Sequence, residues 1–204
     1  MRAVVQRVLS ASVAVDNETI SQISRGLMVL VGIGIDDTTA DMDILVKKIL
    51  TLRVFDDANG NMWKSSVKDI AGEVLCVSQF TLFANTSKGN KPDFHKAMGS
   101  AQSRDMYATF LQKMKDQYSQ DKIQDGKFGA MMNVSLTNEG PVTFTLDSRK
   151  YEYVDLATPV RSGTSNPKAA APQKRPSGTV GPTNAESGPD TSASATEQTP
   201  TTLS

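Results

Sequence analysis

Residues Glu73 to Phe83 set the terms for any fold this chain adopts. Val74, Cys76, Ser78, Phe80 and Leu82 alternate with Leu75, Val77, Gln79 and Thr81, and both series begin apolar. A strand that is apolar on two faces needs cover on two faces, so it belongs in the centre of a sheet. Ser78, Gln79 and Thr81 are the polar exceptions. Polar groups in a buried strand either find partners in the core or line a cavity. Both readings stay open on this stretch alone.

Other segments supply the neighbours of that strand. Ala3 to Val8 and Ala11 to Val15 alternate, and Asp16-Asn17 turns the chain into Thr19 to Ile23. This predicts strands with a hairpin. Arg7 interrupts the first series, as an inward or interfacial arginine or as a solvent-facing one. Gly26 to Ile35 is nearly continuous in apolar residues and reads as a second buried strand. Thr38 to Asp41 is a capping box, after which Met42, Leu45, Val46 and Ile49 make one apolar helix face. Leu52 to Phe55 reads as strand, with Trp63 packing beyond it. Pro92 to Met98 reads as a short helix. Ser103 opens a longer one, with Met106, Tyr107, Phe110, Leu111, Met114 and Tyr118 on its core face. Lys122 to Lys127 reads as a loop, Phe128 to Leu136 and Val142 to Leu146 as strands, and Tyr151 to Leu156 as a last short strand.

Composition changes near Ser162, where Ser, Thr, Pro, Ala and Gly take over without aromatics. Such a segment buries too little apolar area to offset the entropy of ordering. The expectation is a folded domain over 1–160 and a disordered low-complexity tail over 161–204. The fold class is α+β (α/β), with a curved, barrel-like, mainly antiparallel sheet covered by two main helices.

Lysine plus arginine and aspartate plus glutamate each number 22, so no global field attracts nucleic acid. A local patch of Lys88, Lys91 and Lys96, with Arg7 if it lies near, is one candidate for phosphate, and a solvated loop is the other reading. One cysteine and one histidine make a zinc site and an internal disulfide poor expectations. The start of the sequence carries no signal-peptide pattern, and no apolar run is long enough to span a bilayer. A soluble cytoplasmic protein is expected. His95 has no serine or cysteine motif around it, and Thr81 has only Ser78 and Gln79 as strand neighbours, which are poor bases.

Gly140-Pro141 lies between two strand-like segments. Proline cannot donate to a ladder, and glycine leaves the backbone bare. The dipeptide reads as a bare turn with presentable carbonyls, either an ordinary hairpin turn or a binding element.

Four stretches in order carry a resemblance: Met1-Arg2-Ala3-Val4-Val5-Gln6-Arg7-Val8, Val77-Ser78-Gln79-Phe80-Thr81-Leu82, Lys88-Gly89-Asn90-Lys91-Pro92-Asp93-Phe94, and Asn138-Glu139-Gly140-Pro141-Val142-Thr143 ending in Asp147-Ser148. Together they resemble the D-aminoacyl-tRNA deacylase (D-tyrosyl-tRNA deacylase) family in its eukaryotic style, from Met1 to about Leu156. Glu139 and Lys91 stand where the family frequently has Asp and Arg, which keeps the charge. The resemblance implies a cytoplasmic homodimer with each active site at the subunit interface and no metal or organic cofactor. It implies hydrolysis of the ester of D-aminoacyl-tRNA, and of glycyl-tRNA mischarged on tRNA-Ala, as chiral proofreading. Gly140-Pro141 would be cis, enter the partner's pocket, hold the substrate amino group and exclude L side chains, with Arg7 among the substrate-binding and chiral-selection residues. Ser78, Gln79 and Phe80 would line the adenosine and ester end, with Phe128 and Met132 walling the terminal base. Thr81 is either the nucleophile or a bystander to chemistry on the substrate's own 2′-hydroxyl, with backbone donors near Ser78 to Phe80 forming an oxyanion site, and the lack of a base beside it favours the second. The alternatives are a non-catalytic RNA- or protein-binding module on the same fold and a synthetase-type editing domain.

Overall fold

The computed structural model describes residues 1–149. The tail over 161–204 and the strand at Tyr151 to Leu156 lie outside the described residues.

The spine of the fold is β1, Arg2–Val15. Along one edge it pairs antiparallel with β6, Asn133–Asp147. Along the other edge its first half pairs with β3, Gly26–Gly32, and its second half with β2, Glu18–Ile23. The β1–β2 turn is Asp16-Asn17, both at positive φ (52° and 65°), the conformation that matches strand twist in a two-residue hairpin. β4 (Glu73–Ser78) runs parallel to β3, and the short β5 (Ile123–Asp125) parallel to β4. The result is a nearly closed, barrel-like mixed sheet of three antiparallel and two parallel pairings. Gly26 is obligatory where β3 starts against β4, because a Cβ there would sit 1.9 Å from the Glu73 carbonyl oxygen.

Two cores explain the two-faced apolar strands. Leu27, Val29 and Val31 of β3 and Val74 and Cys76 of β4 face one core, together with Met1, Ala3 and Val5 of β1. Met28, Leu75 and Val77 face the second, with Val8, Ala11 and Val13. The first core is closed by α1 (Thr39–Thr51), through Met42, Leu45, Val46 and Ile49, and by α2 (Ser100–Gln117), through Tyr107, Phe110, Leu111 and Met114. Each fully buried large side chain contributes about 1.5–3 kcal/mol. At the start of α1 the Asp41 carboxylate accepts from the Thr38 N–H and hydroxyl at 2.9 and 2.8 Å.

Several local expectations are overturned. Leu52 to Phe55 forms no strand, only an isolated bridge between Phe55 and Ser65. Pro92 to Met98 is not helical, because Asp93 forms a reciprocal backbone bridge with Asn85 and Ala97 another with Gly34. The expected loop at Lys122 to Lys127 contains β5. The long helix begins at Ser100 rather than Ser103. Phe128 to Met132 is turn and coil, and β6 begins at Asn133.

Two corrections bear on function. β4 stops at Ser78, and Phe80–Phe83 is a 3-10 turn. β3 ends at Gly32, so the ladder has no partner to continue with; the last tie is the Gln79 N–H to the Val31 carbonyl, 2.7 Å. The chain then folds over Gly32 and Gly34, whose missing side chains admit Leu82 and the Phe83 ring. Second, Gly140-Pro141 is not a hairpin turn. β6 is one strand, and Gln6 pairs with Thr143 while Val8 pairs with Asn138, leaving residues 139–142 as a bulge opposite Arg7.

Candidate active site

The ends of β3 and β4, Phe80 at the start of the 3-10 turn, the 94–103 segment and the 128–134 stretch enclose a pocket of about 780 Å³. Ser78, Gln79, Phe80, Phe128 and Met132 all line it. Met132 lies against the 126–127 backbone, with its sulfur accepting the Lys127 N–H at 3.3 Å. Phe128 packs on Tyr107 with ring centroids 5.8 Å apart and a 41° tilt. Phe80 meets Phe94 edge to face at 4.9 Å yet remains 58% exposed at the mouth.

None of the 17 lining residues is titratable. The walls are apolar, with hydroxyls from Ser78, Ser100 and Ser103 and the Gln79 amide. Such a pocket binds and orients; it holds no side chain able to take a proton at neutral pH. Backbone donors are present instead. The Gln79 N–H is committed to Val31, whereas among the described residues no protein group accepts from the N–H of Phe80 or Thr81. Those two amides open the 3-10 turn, where N–H groups lack intrahelical acceptors.

Thr81 lies beside the pocket, not in its lining. Its Oγ1 is paired with the Gln79 side-chain amide. In either orientation an amide is no base, so Thr81 lacks the activating partner a hydroxyl nucleophile needs. His95 pairs with Asp93 on an exposed loop and is not in the lining either.

Arg7, Gly140 and Pro141 form a separate constellation. Arg7 is largely buried and donates to the Val54 carbonyl at 2.6 Å. Its Nε faces the Glu139 carboxylate at 3.2 Å without hydrogen-bond alignment, and Arg25 meets the same carboxylate at 3.3 Å. Arg7 is therefore committed to the Val54 carbonyl and to the bulge opposite it. Asn138 ties the bulge shut: its Oδ1 accepts the Val142 N–H at 3.0 Å and its Nδ2 donates to Thr143 Oγ1 at 2.9 Å. Gly140 and Pro141 are both exposed, their peptide bond is cis, and Gly140 has φ 118°. Neither lines the pocket of its own chain.

Sequence reasoning missed Phe94, Ala97, Met98, Ser100, Ser103 and Met131 as pocket walls. Only Phe94 carried a signal, as the end of the Lys88 to Phe94 stretch. Trp63 is half exposed and meets Phe144 edge-on at 6.2 Å, which is packing. Among the described residues, no helix is long and apolar enough to cross a membrane, and no three His, Cys, Asp or Glu side chains are grouped to hold a metal ion.

Comparison with known proteins is consistent over the same span. The D-Tyr-tRNA(Tyr) deacylase family model matches residues 4–147. The D-aminoacyl-tRNA deacylase of Saccharomyces cerevisiae is 52% identical over 148 residues, 72% of this chain and 99% of that protein. The human D-aminoacyl-tRNA deacylase 1 is also 52% identical, over 72% of this chain and 70% of its own length. A solved structure described as c-Myc DNA Unwinding Element Binding Protein superposes with a TM-score of 0.70 at 52% identity, covering 72% of this chain and 98% of that one. A second, of a probable eukaryotic D-amino acid tRNA deacylase, has a TM-score of 0.64 at 18% identity, with the same shares covered, and shares the fold. The pocket, the exposed bulge and these relatives lie in one continuous stretch, and the chain belongs to the D-Tyr-tRNA(Tyr) deacylase family.

Proposed function

We propose that this chain hydrolyses the ester between a D-amino acid and the 3′ end of tRNA, releasing both, and clears glycine mischarged on tRNA-Ala. The enzyme class, a carboxylic ester hydrolase acting on aminoacyl-tRNA, follows from family membership. The observation that carries the reading is the pocket, with Ser78, Gln79 and Phe80 on one wall and Phe128 and Met132 on another. An adenosine fits such apolar and aromatic walls, and base stacking on an aromatic ring contributes roughly 1–3 kcal/mol.

With no titratable side chain in the lining, the chemistry falls to the substrate. Water attacks the ester carbonyl, the 2′-hydroxyl of the terminal ribose relays the water's proton to the 3′-oxygen as the C–O bond breaks, and the Phe80 and Thr81 amides stabilise the carbonyl oxygen as it gains charge. Ser78 and Gln79 orient the ribose and ester. Thr81 holds the Gln79 amide rather than forming a covalent ester.

Chiral selection belongs to Gly140 and Pro141 in this reading. Their carbonyls bind the substrate amino group inside the pocket of a second copy, and the backbone there excludes an L side chain. Glycine passes because it has no side chain to exclude. Support comes from the exposure of the bulge, its absence from the lining of its own chain's pocket, and its bracing by Arg7, Glu139, Arg25 and Asn138. Exposed Phe80 and Met131 at the mouth supply apolar surface for that second copy, giving a cytoplasmic homodimer with shared sites.

The test is incubation with D-Tyr-tRNA and L-Tyr-tRNA, alongside a light-scattering mass in solution. Hydrolysis of the D ester alone by a dimer is expected. Hydrolysis of neither leaves a binding module, and equal hydrolysis of both removes the chiral role.

A further inference from the structure

Arg104 lies against the pocket wall at Phe128 and Gly129, and among the described residues no carboxylate pairs with it. Its guanidinium carbon sits over the Phe128 ring, 5.0 Å from the centroid. Its Nη2 is 3.7 Å from the point where a side chain at Gly129 would begin, so it lies over bare, exposed backbone. Phe128 and Gly129 both line the pocket. Arg2, Arg7, Arg25 and Arg149 each meet a carboxylate within 4.0 Å, whereas among the described residues Arg104 has no ion pair. A guanidinium seated on a ring face keeps its in-plane N–H groups for an acceptor, in the fork geometry that matches phosphate. Lys127, exposed and one residue before Phe128, donates its backbone N–H to the sulfur of the pocket-lining Met132, and its side chain is a second cation on the same segment. The chain as a whole has no net charge, so any grip on a polyanion must come from such a local pair.

We infer that Arg104, supported by Lys127, binds the phosphate joining the terminal adenosine to the preceding nucleotide, and so marks where the RNA strand leaves the pocket. The inference rests on the deacylase reading, because that reading seats the terminal adenosine against Phe128. The alternative is that the arginine stem only packs on the ring.

Two substrates separate these. D-tyrosyl-tRNA carries the phosphate; the 3′-D-tyrosyl ester of adenosine does not. Arg104→Gln is expected to lower kcat/KM on the tRNA ester about tenfold more than on the adenosine ester, through KM. Arg104→Lys should recover part of that difference. The dependence of log kcat/KM on log salt with the tRNA ester should become shallower by about 0.7 in Arg104→Gln, the slope for one phosphate contact on a single strand. Equal losses on both substrates, or none on either, would overturn the phosphate contact while leaving the deacylase reading intact. Wild-type protein that cleaves neither ester would overturn both.

Discussion

Replacing Thr81 by alanine removes one hydroxyl whose only side-chain partner among the described residues is the nearby Gln79 amide. Thr81 is exposed, and a neutral hydrogen bond of this kind contributes about 0.5–1.5 kcal/mol. If the threonine only positions Gln79, its loss lowers the rate about two- to twelvefold, since 1.4 kcal/mol is a factor of ten. A covalent nucleophile gives another magnitude, because deleting one removes about four to six orders of magnitude. The two readings thus differ by at least about a thousandfold. Single-turnover hydrolysis of D-Tyr-tRNA by wild type and Thr81→Ala reads the difference directly. A parallel substrate ending in 2′-deoxyadenosine should resist the wild-type enzyme. The reasoning is refuted if folded Thr81→Ala loses more than about a thousandfold, or if intact-mass measurement finds a D-tyrosyl ester on Thr81.

Gly140→Ala should destabilise the protein by about 1–3 kcal/mol in urea unfolding, because the residue has φ 118° and an added Cβ would meet Val142 Cγ2 at 2.8 Å; an unchanged midpoint would contradict that. Burial opposes ionisation of Asp41, but hydrogen bonds from Ser148 and Thr38 outweigh it and hold the carboxyl at about 2. With the folded value below the unfolded one, its stabilisation, on the order of 2 kcal/mol, is present above about pH 4 and is lost as pH falls toward 2. Asp41→Asn should therefore flatten that part of the acid limb in a stability–pH series, and an unaltered limb would rule the linkage out. Cys76 is fully buried and burial pushes its thiol up, so iodoacetamide should modify it only after unfolding; rapid native alkylation would show that β4 opens.

Local pattern was enough for the parts whose environment is set by their own periodicity. The two-faced runs at Gly26 and Glu73 became the central parallel pair β3–β4, and the apolar stripes from Met42 and Tyr107 became the helix faces over the core. The side-chain period of a strand or helix is a short-range property, and burial follows it wherever a partner surface exists. Ser78 as the place where polar groups enter an apolar strand was visible for the same reason.

What depended on distant chain was invisible in local pattern. Alternation continues through Leu82, yet β4 stops at Ser78, because its partner β3 stops at Gly32, 46 positions earlier in the chain. That break turns Phe80 to the pocket mouth and frees the amides of the 3-10 turn. Gly140-Pro141 has the composition of a hairpin turn, but β1 is long enough to pair with both flanking segments, so β6 runs through and the dipeptide becomes a bulge. Phe94 lines the pocket, and Arg104 reaches the Phe128 ring, only because the 93–98 segment and α2 are carried to the 128–134 stretch. The spacing of its side chains determined the buried strands β3 and β4, the core faces of α1 and α2 and the apolar core they share. Tertiary pairing alone decided where strands end, and strand ends are where backbone amides, carbonyls and polar side chains are released from the ladder to meet a substrate.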